Sequence, residues 1–474
     1  MARRLHPLAA GTLWITGAIL ISQVAQLGYS IVSSRLLGPA SFGAFATALA
    51  AMSLLTILAI GGLDLAVARE SQENTSEVRS LVSAAILLGL VWGAVVILAA
   101  PWWADLWGDA SATGVLRMLA IAVTLTPLNA VIAGLARQTG RFRQLSSVQA
   151  VATITGVAVG VVAVIVTESP YALAVPLDIA ALITTLMGPW ATGRWLWPGR
   201  LRRTTWAYLN IGGKAMATNL IEYSGWALVQ WATGRGAGAA ALGQLNRGLA
   251  FASMPIMAVA TSMSNVLVPT YGSTSDRSQH PSLLSRATAL SVWAGTLLAA
   301  LSAGLVYPLM PVVLGGEWST AASLAVFLAI GSGGSVAGQP MAVFLQSQGR
   351  FAEFRRVQYI TTALYVFAAA GVIETGHVLW AAVSYAAVTW VRFGLLWARL
   401  RVTGELRAWI GREVRIAIVA AGAGGLLVFA LAMSCVDRAL PLSVSISALA
   451  GVVGSLVLIR LGSKVPVLIR ELVR

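Results

Sequence analysis

Residues 81–100 read LVSAAILLGLVWGAVVILAA, twenty positions without an ionisable side chain. A helix of about 20 apolar residues is long enough to cross the hydrocarbon core of a bilayer. Arg79 stands just before this run, and Trp102, Trp103 and Asp105 follow it. Outward in both directions, similar runs recur from Leu13 to Leu461 with only short polar breaks, so no stretch remains for a separate soluble domain. Of the 474 residues, 58% are hydrophobic and 10% charged, against about 25% charged in an ordinary soluble domain. Lipid is therefore the main solvent of this chain.

Gly, Pro and charged breaks divide the chain into expected spans near Leu13–Val32, Phe42–Leu63, Leu81–Ala100, Leu116–Ala136, Val148–Val166 and Tyr171–Trp190. A basic link with Arg200, Arg202 and Arg203 leads to Asn210–Trp231, Leu249–Val268, Ala287–Leu314, Ala321–Leu345, Val357–Ile373 and Leu379–Trp397. The last two are expected near Ile416–Met433 and Leu442–Leu461. The expectation is an all-α integral membrane protein of about 14 transmembrane helices. Arg3 and Arg4 before the first apolar run have the look of a signal peptide, but Leu8–Val32 is too long for a cleavable one and reads as an uncleaved first helix.

The net charge of +15 comes from 32 Lys and Arg against 17 Asp and Glu. The basic residues sit in loops between apolar runs, which points to a membrane surface and not to nucleic acid. With the amino terminus placed inside, 25 Lys and Arg fall on the inner side and 5 on the outer, while Lys214 and Arg392 lie within spans. Positive loops stay in the cytoplasm, so both termini are expected there. The single cysteine, Cys435, has no internal partner and leaves the redox compartment open.

The chain repeats itself. Gly140-Arg141-Phe142 with Val148-Gln149 returns as Gly349-Arg350-Phe351 with Val357-Gln358, both at an offset of 209. Arg35 before Phe42-Gly43 returns as Arg235 before Leu242-Gly243 at an offset of 200. An even number of spans separates the copies, so the halves share one orientation. The expected domains are a six-helix bundle over residues 1–200, a second over 201–405, and two accessory helices with a tail over 406–474.

Polar groups inside spans are costly and are site candidates for that reason. On the first span Thr12, Thr16, Gln23, Gln26, Ser30 and Ser34 fall within an arc of roughly 80° at about 100° per residue, and suit either helix packing or the lining of a cavity. Lys214, Thr218 and Glu222 share a face of the seventh span; the two charges lie roughly 12 Å apart along the axis, too far to pair. Lys214 also suits snorkelling to the surface. Arg247 lies on the eighth span, and Arg35 and Arg235 close the first and seventh; guanidinium forks suit phosphate oxygens, while anchoring of the helix ends is the plainer role. Gln23, Gln26, Arg35, Lys214, Glu222, Arg235 and Arg247 are thus the candidate substrate contacts, and Asp178 and Glu222 the candidate ion-coupling acids. Prolines at 127, 176, 255 and 340 are expected to break helix bonding within spans.

Gly212-Gly213-Lys214 is followed by Ala215 and lacks the spacing of a phosphate-binding loop. His6, His280 and His377 are scattered, with no metal-ligand spacing. No cofactor or metal is expected, and the short outer loops argue against a membrane glycosyltransferase or polymerase.

The segment from Ser34 to Gly43, SRLLGPASFG, continuing to Gly61-Gly62-Leu63 and Arg69, resembles the start of bacterial polysaccharide and oligosaccharide flippases. These are the Wzx-like proteins of the multidrug/oligosaccharidyl-lipid/polysaccharide exporter superfamily. Gly234-Arg235, Ala240-Ala241-Leu242-Gly243, Asn246-Arg247, Pro255 and Val266 to Pro269 resemble the same family's seventh and eighth helices. The chain departs from many relatives before Gly234, where Ala227, Leu228 and Val229 are apolar and the nearest acid is Glu222. The resemblance implies a bacterial inner-membrane flippase for undecaprenyl-linked glycans, with polysaccharide polymerase and chain-length machinery as partners. A drug or cation exporter of the same superfamily is the alternative, and it would lean on Asp178 and Glu222.

Overall fold

The computed structural model describes residues 7–60, 63, 67, 75–273, 280–400 and 411–417, with side chains for all of these but 7–20, 75, 203–219, 257–273 and 280–282. The expected spans near Ile416–Met433 and Leu442–Leu461 lie outside the described residues, except for a helical stretch over 411–417. Everything regular among the described residues is helical, as lipid demands: a helix satisfies its own backbone N–H and C=O groups where no water can.

The long helices are α1 (Pro7–Leu36), α2 (Pro39–Ile60), α3 (Thr75–Trp107), α4 (Ala112–Gln138), α5 (Phe142–Thr167) and α6 (Val175–Leu186). They continue with α7 (Arg203–Ala237), α8 (Ala239–Ser273), α9 (His280–Leu314), α10 (Ser319–Ser347), α11 (Phe351–Thr375) and α12 (Leu379–Arg399). Among the described residues, eight helices are long and apolar enough to cross a membrane. Large apolar side chains stand outward on them, Leu98 at 80% exposure and Phe367 at 75%, as expected where the surrounding medium is lipid. Many Ser and Thr residues within these helices bond to their own helix: Thr124 donates to Ala120 O, Thr296 to Val292 O and Ser332 to Leu328 O. Such hydroxyls cross an apolar medium without needing a cavity.

The sixth span differs from the single helix expected over Tyr171–Trp190. Ser169 caps a 3-10 turn at Pro170–Leu173, α6 follows, and a five-residue helix at Gly188–Thr192 completes the path. Pro176 falls in the first turn of α6, where no helical hydrogen bond is lost, so it does not interrupt the span. Pro127 and Pro340 do lie inside helices, and so do Pro308 and Pro311 of α9.

Packing divides the chain into two units: Met1–Tyr223 with Gly238–Gly243, and Ser224–Ala237 with Gln244–Arg474. In the first, α4 packs on α2, α3 and α6, and α5 on α1 and α6. Ala48, Val96, Leu116, Leu119 and Val123 form one core cluster. In the second, α10 packs on α9, α11 and α12, and α11 on α12. Val292, Trp293, Met341, Phe354 and Leu396 lie in its core. The pairings α3–α4, α4–α6 and α5–α6 thus return as α9–α10, α10–α12 and α11–α12.

The repeat extends to single dihedral angles. Helices α4 and α10 both end on a glycine in the left-handed region, Gly140 and Gly349, each at φ +69°. The arginine that follows sits at ψ 45° in both copies. Arg141 N donates to Ala136 O and Gly140 N to Arg137 O, as Arg350 N does to Leu345 O and Gly349 N to Gln346 O. This is the glycine-closed helix end in which the last carbonyls find donors. The guanidinium of Arg141 lies against Gly193. That of Arg350 donates to Arg399 O at 3.1 Å and grips Glu353 through two bonds.

The second repeated motif makes a reciprocal contact inside the first unit. A Cβ added to Gly43 would stand 2.9 Å from Ala239 Cα and closer still to its carbonyl. One added to Gly243 would stand 2.9 Å from Gly43 N and press on Pro39 O. Gly43 and Gly243, like Pro39 and Ala239, are 200 positions apart. Each glycine therefore makes room for the partner helix start, and small residues of this kind bring helix backbones together in lipid.

Candidate functional site

The polar seam of the first unit lies between α4 and α6. On α5, Gly156 and Gly160 leave space that Pro176 fills, and this seats the first turn of α6 and turns Asp178 toward α4. Asp178 is 6% exposed. Its Oδ1 accepts from Ala122 N at 3.0 Å, and its Oδ2 has no partner among the described residues. Farther along the seam, Asn129 Nδ2 donates to Ala181 O at 3.1 Å and Thr185 Oγ1 donates to Asn129 Oδ1 at 2.9 Å. A buried acceptor left open is expensive.

The other sequence candidates fall in both units. In the first, Gln23 is half-buried and Gln26 exposed on α1, Arg35 is exposed in its last turn, and Glu222 is exposed on α7. Beside Glu222, Tyr223 donates to Ala50 O at 2.6 Å. Lys214 lies on α7, its side chain outside the described set. In the second unit Arg235 is exposed in the last turn of α7 and Arg247 is half-buried on α8. Arg35 and Arg235 both close their helices at the negative end of the helix dipole, a favourable place for a cation.

Three features were not singled out from the sequence. Asn129 and Thr185 join Asp178 in the α4–α6 seam. In the second unit Trp226 of α7 meets Tyr365 at 6.0 Å and Tyr385 at 4.8 Å between ring centroids, near the Gln230–Asn246 bond at 3.4 Å. Glu413 is fully buried; its Oε2 accepts from Trp293 Nε1 at 3.0 Å and its Oε1 has no partner among the described residues. Its neighbours in sequence, Arg412 and Arg415, give it the look of an ordinary surface acid. Among the described residues no group of His, Cys, Asp and Glu is placed to hold a metal ion.

Repeated helical units with a few polar groups set in apolar walls define the class: a multi-pass membrane protein. The chain covers 98% of its length on the structure of the lipid II flippase MurJ in an inward closed conformation, and all of that chain, with a TM-score of 0.74 at 11% identity. It covers 82% of its length on an inward-facing multidrug resistance MATE family transporter of the MOP superfamily, and 96% of that chain, with a TM-score of 0.62 at 17% identity. These likenesses establish the fold alone.

The family comes from sequence. Residues 32–323 match the family described as polysaccharide biosynthesis protein, and the chain belongs to it. It is 24% identical over 327 residues to the succinoglycan biosynthesis transport protein ExoT of Rhizobium meliloti (strain 1021), over 67% of this chain. The match spans 65% of the length of that relative.

Proposed function

We propose that this protein carries a lipid-linked oligosaccharide or polysaccharide repeat unit, on an undecaprenyl carrier, from the inner to the outer leaflet of the bacterial cell membrane. The observation that carries the reading is the polysaccharide-biosynthesis family match over residues 32–323, on a chain whose fold is shared with the lipid II flippase MurJ. The bundles 1–200 and 201–405 alternate in opening a wet passage for the glycan to either side, and the lipid tail stays in the bilayer. Both termini are cytoplasmic. Arg35, Lys214, Arg235 and Arg247 attract the diphosphate, and Gln23, Gln26 and Glu222 meet the sugar.

An inside-negative potential contributes about 2.3 kcal/mol per charge per 100 mV, so a diphosphate with two charges gains about twice that on moving outward. Asp178, with its open Oδ2, is the coupling group for a proton or cation, and Glu222 a second. Vesicles holding only this protein test the reading. Transbilayer movement of labelled lipid-linked sugar is the expected result. Drug efflux without flipping would replace it with the exporter reading, and sugar-chain growth would replace it with an enzyme.

A further inference from the structure

Between the five-residue helix at Gly188–Thr192 and α7, residues 194–202 form neither helix nor strand, yet they are held down along their length. Gly199 N donates to Arg79 O and to Ser83 Oγ, Ser83 Oγ donates to Gly199 O, and Arg202 N donates to Ser80 Oγ. Leu196 turns inward onto Leu135 and Ile132 in two core clusters. Its neighbours turn outward: Trp195 is 75% exposed and Trp197 62%, with ring centroids 6.5 Å apart. The strap carries Arg194, Arg200 and Arg202, and Arg79 packs against Gly199. Residues 193–203 contain no acid. The carboxylate that meets the strap, Glu77, is 2% exposed and paired with Arg202 at 3.5 Å.

A fixed strap that spends its inward position on Leu196 and leaves two indoles outward is shaped for a medium less polar than water. Indoles settle at the headgroup level of a bilayer, and arginine forks match phosphate oxygens. Just before the strap in sequence, Leu186 and Trp190 are exposed as well. We propose that the 194–202 strap is a docking site for anionic phospholipid headgroups of the adjacent leaflet, with Trp195 and Trp197 planted among the headgroups and Arg194 and Arg200 on their phosphates. This goes beyond substrate transport: the lipid is a bound component of the first unit and not cargo. Arg202 is neutralised by Glu77 and holds the strap.

The test uses the full chain in detergent, titrated separately with phosphatidylglycerol, phosphatidylcholine, inorganic phosphate and a short RNA, with bound molecules counted by native mass spectrometry. Binding in detergent is independent of orientation and of cargo, so this result and the flipping assay fail separately. Phosphatidylglycerol is expected to bind more tightly than phosphatidylcholine by at least tenfold. Arg194→Gln with Arg200→Gln should weaken it by about 25-fold, about fivefold for each arginine near an anionic surface. Arg194→Lys with Arg200→Lys should keep most of the binding, and Trp195→Phe with Trp197→Phe should keep more than the Ala pair. Arg117→Gln, at the other end of α4, should change nothing. Equal affinity for the two lipids, unchanged binding in an Arg194→Gln/Arg200→Gln pair that melts like wild type, or saturation by RNA or inorganic phosphate would overturn the proposal.

Discussion

Gly43→Ala puts one methyl group where two helix starts meet. The added Cβ would lie 2.9 Å from Ala239 Cα, whereas carbon atoms rest at about 3.5–4.0 Å. The starts of α2 and α8 must therefore separate by about 1 Å, or the backbone must bend by as much. Overpacking of this kind costs about 1–3 kcal/mol, which converts to about a 5- to 150-fold change in the population of the close contact at about 1.4 kcal/mol per tenfold. Gly243→Ala presses on Gly43 N and Pro39 from the opposite side, so it calls for the same separation. One displacement relieves both clashes. The double variant should therefore cost clearly less than the sum of the singles, as expected for residues that share one contact. Spin labels on cysteines at Ala40 and Ala240, in a Cys435→Ser background, would report the distance distribution between the helix starts. The expected result is a shift to longer distances in either single variant with little further shift in the double. Unchanged distributions in well-folded single variants, or additive effects in the double, would refute the reasoning.

Topology reporters fused after Arg143, Arg203 and Arg407 should read cytoplasmic and those after Asp109 and Glu317 outside, and reversal at two or more sites overturns the orientation. Neutralising Arg35, Lys214, Arg235 or Arg247 to Gln should slow flipping per folded molecule at unchanged abundance, with Arg→Lys restoring a point-charge role but not a bidentate one; equal rates in wild type and all four Gln variants count against a cationic path. Asp178→Asn keeps an acceptor for Ala122 N–H but cannot bind or release a proton at the carboxyl group, so transport driven by an imposed proton gradient should lose that drive, and an unchanged response rules out Asp178 as the coupling group. The Arg350–Glu353 pair is bidentate and part-buried, and Glu353→Gln should lower stability by about 0.5–1 kcal/mol, read as a small drop in melting temperature that shrinks in high salt.

Helix identity was legible in the sequence because lipid leaves the backbone little choice: a run such as residues 81–100 has to satisfy its own amides. The repeat was legible too, since Gly140 and Gly349 are needed wherever a helix must close at positive φ and the chain turn back. Where the reading fell short, the cause is tertiary. Pro176 reads as a helix breaker until its first-turn position is known, and that depends on the 3-10 turn ending at Leu173 so that a new helix starts at Val175. Asn129 and Thr185 are ordinary polar residues until α4 and α6 bring them within 2.9 Å. Glu413 lies between two arginines and reads as a solvated charge, yet it is buried beneath Trp293. In sequence the strap is a basic link, and its loop composition does not reveal that Ser80 and Ser83 hold it in place.

The reciprocal glycines also bear on how the protein is made. The first packing unit includes Gly238–Gly243, a piece synthesised some forty residues after the Arg200–Arg203 link. While the ribosome is still short of that piece, Gly43 faces an empty slot and the first unit is missing one of its own walls. Early membrane insertion of the first six spans therefore yields an unfinished intermediate, and a gene split at the link would leave its first product waiting for the second to arrive.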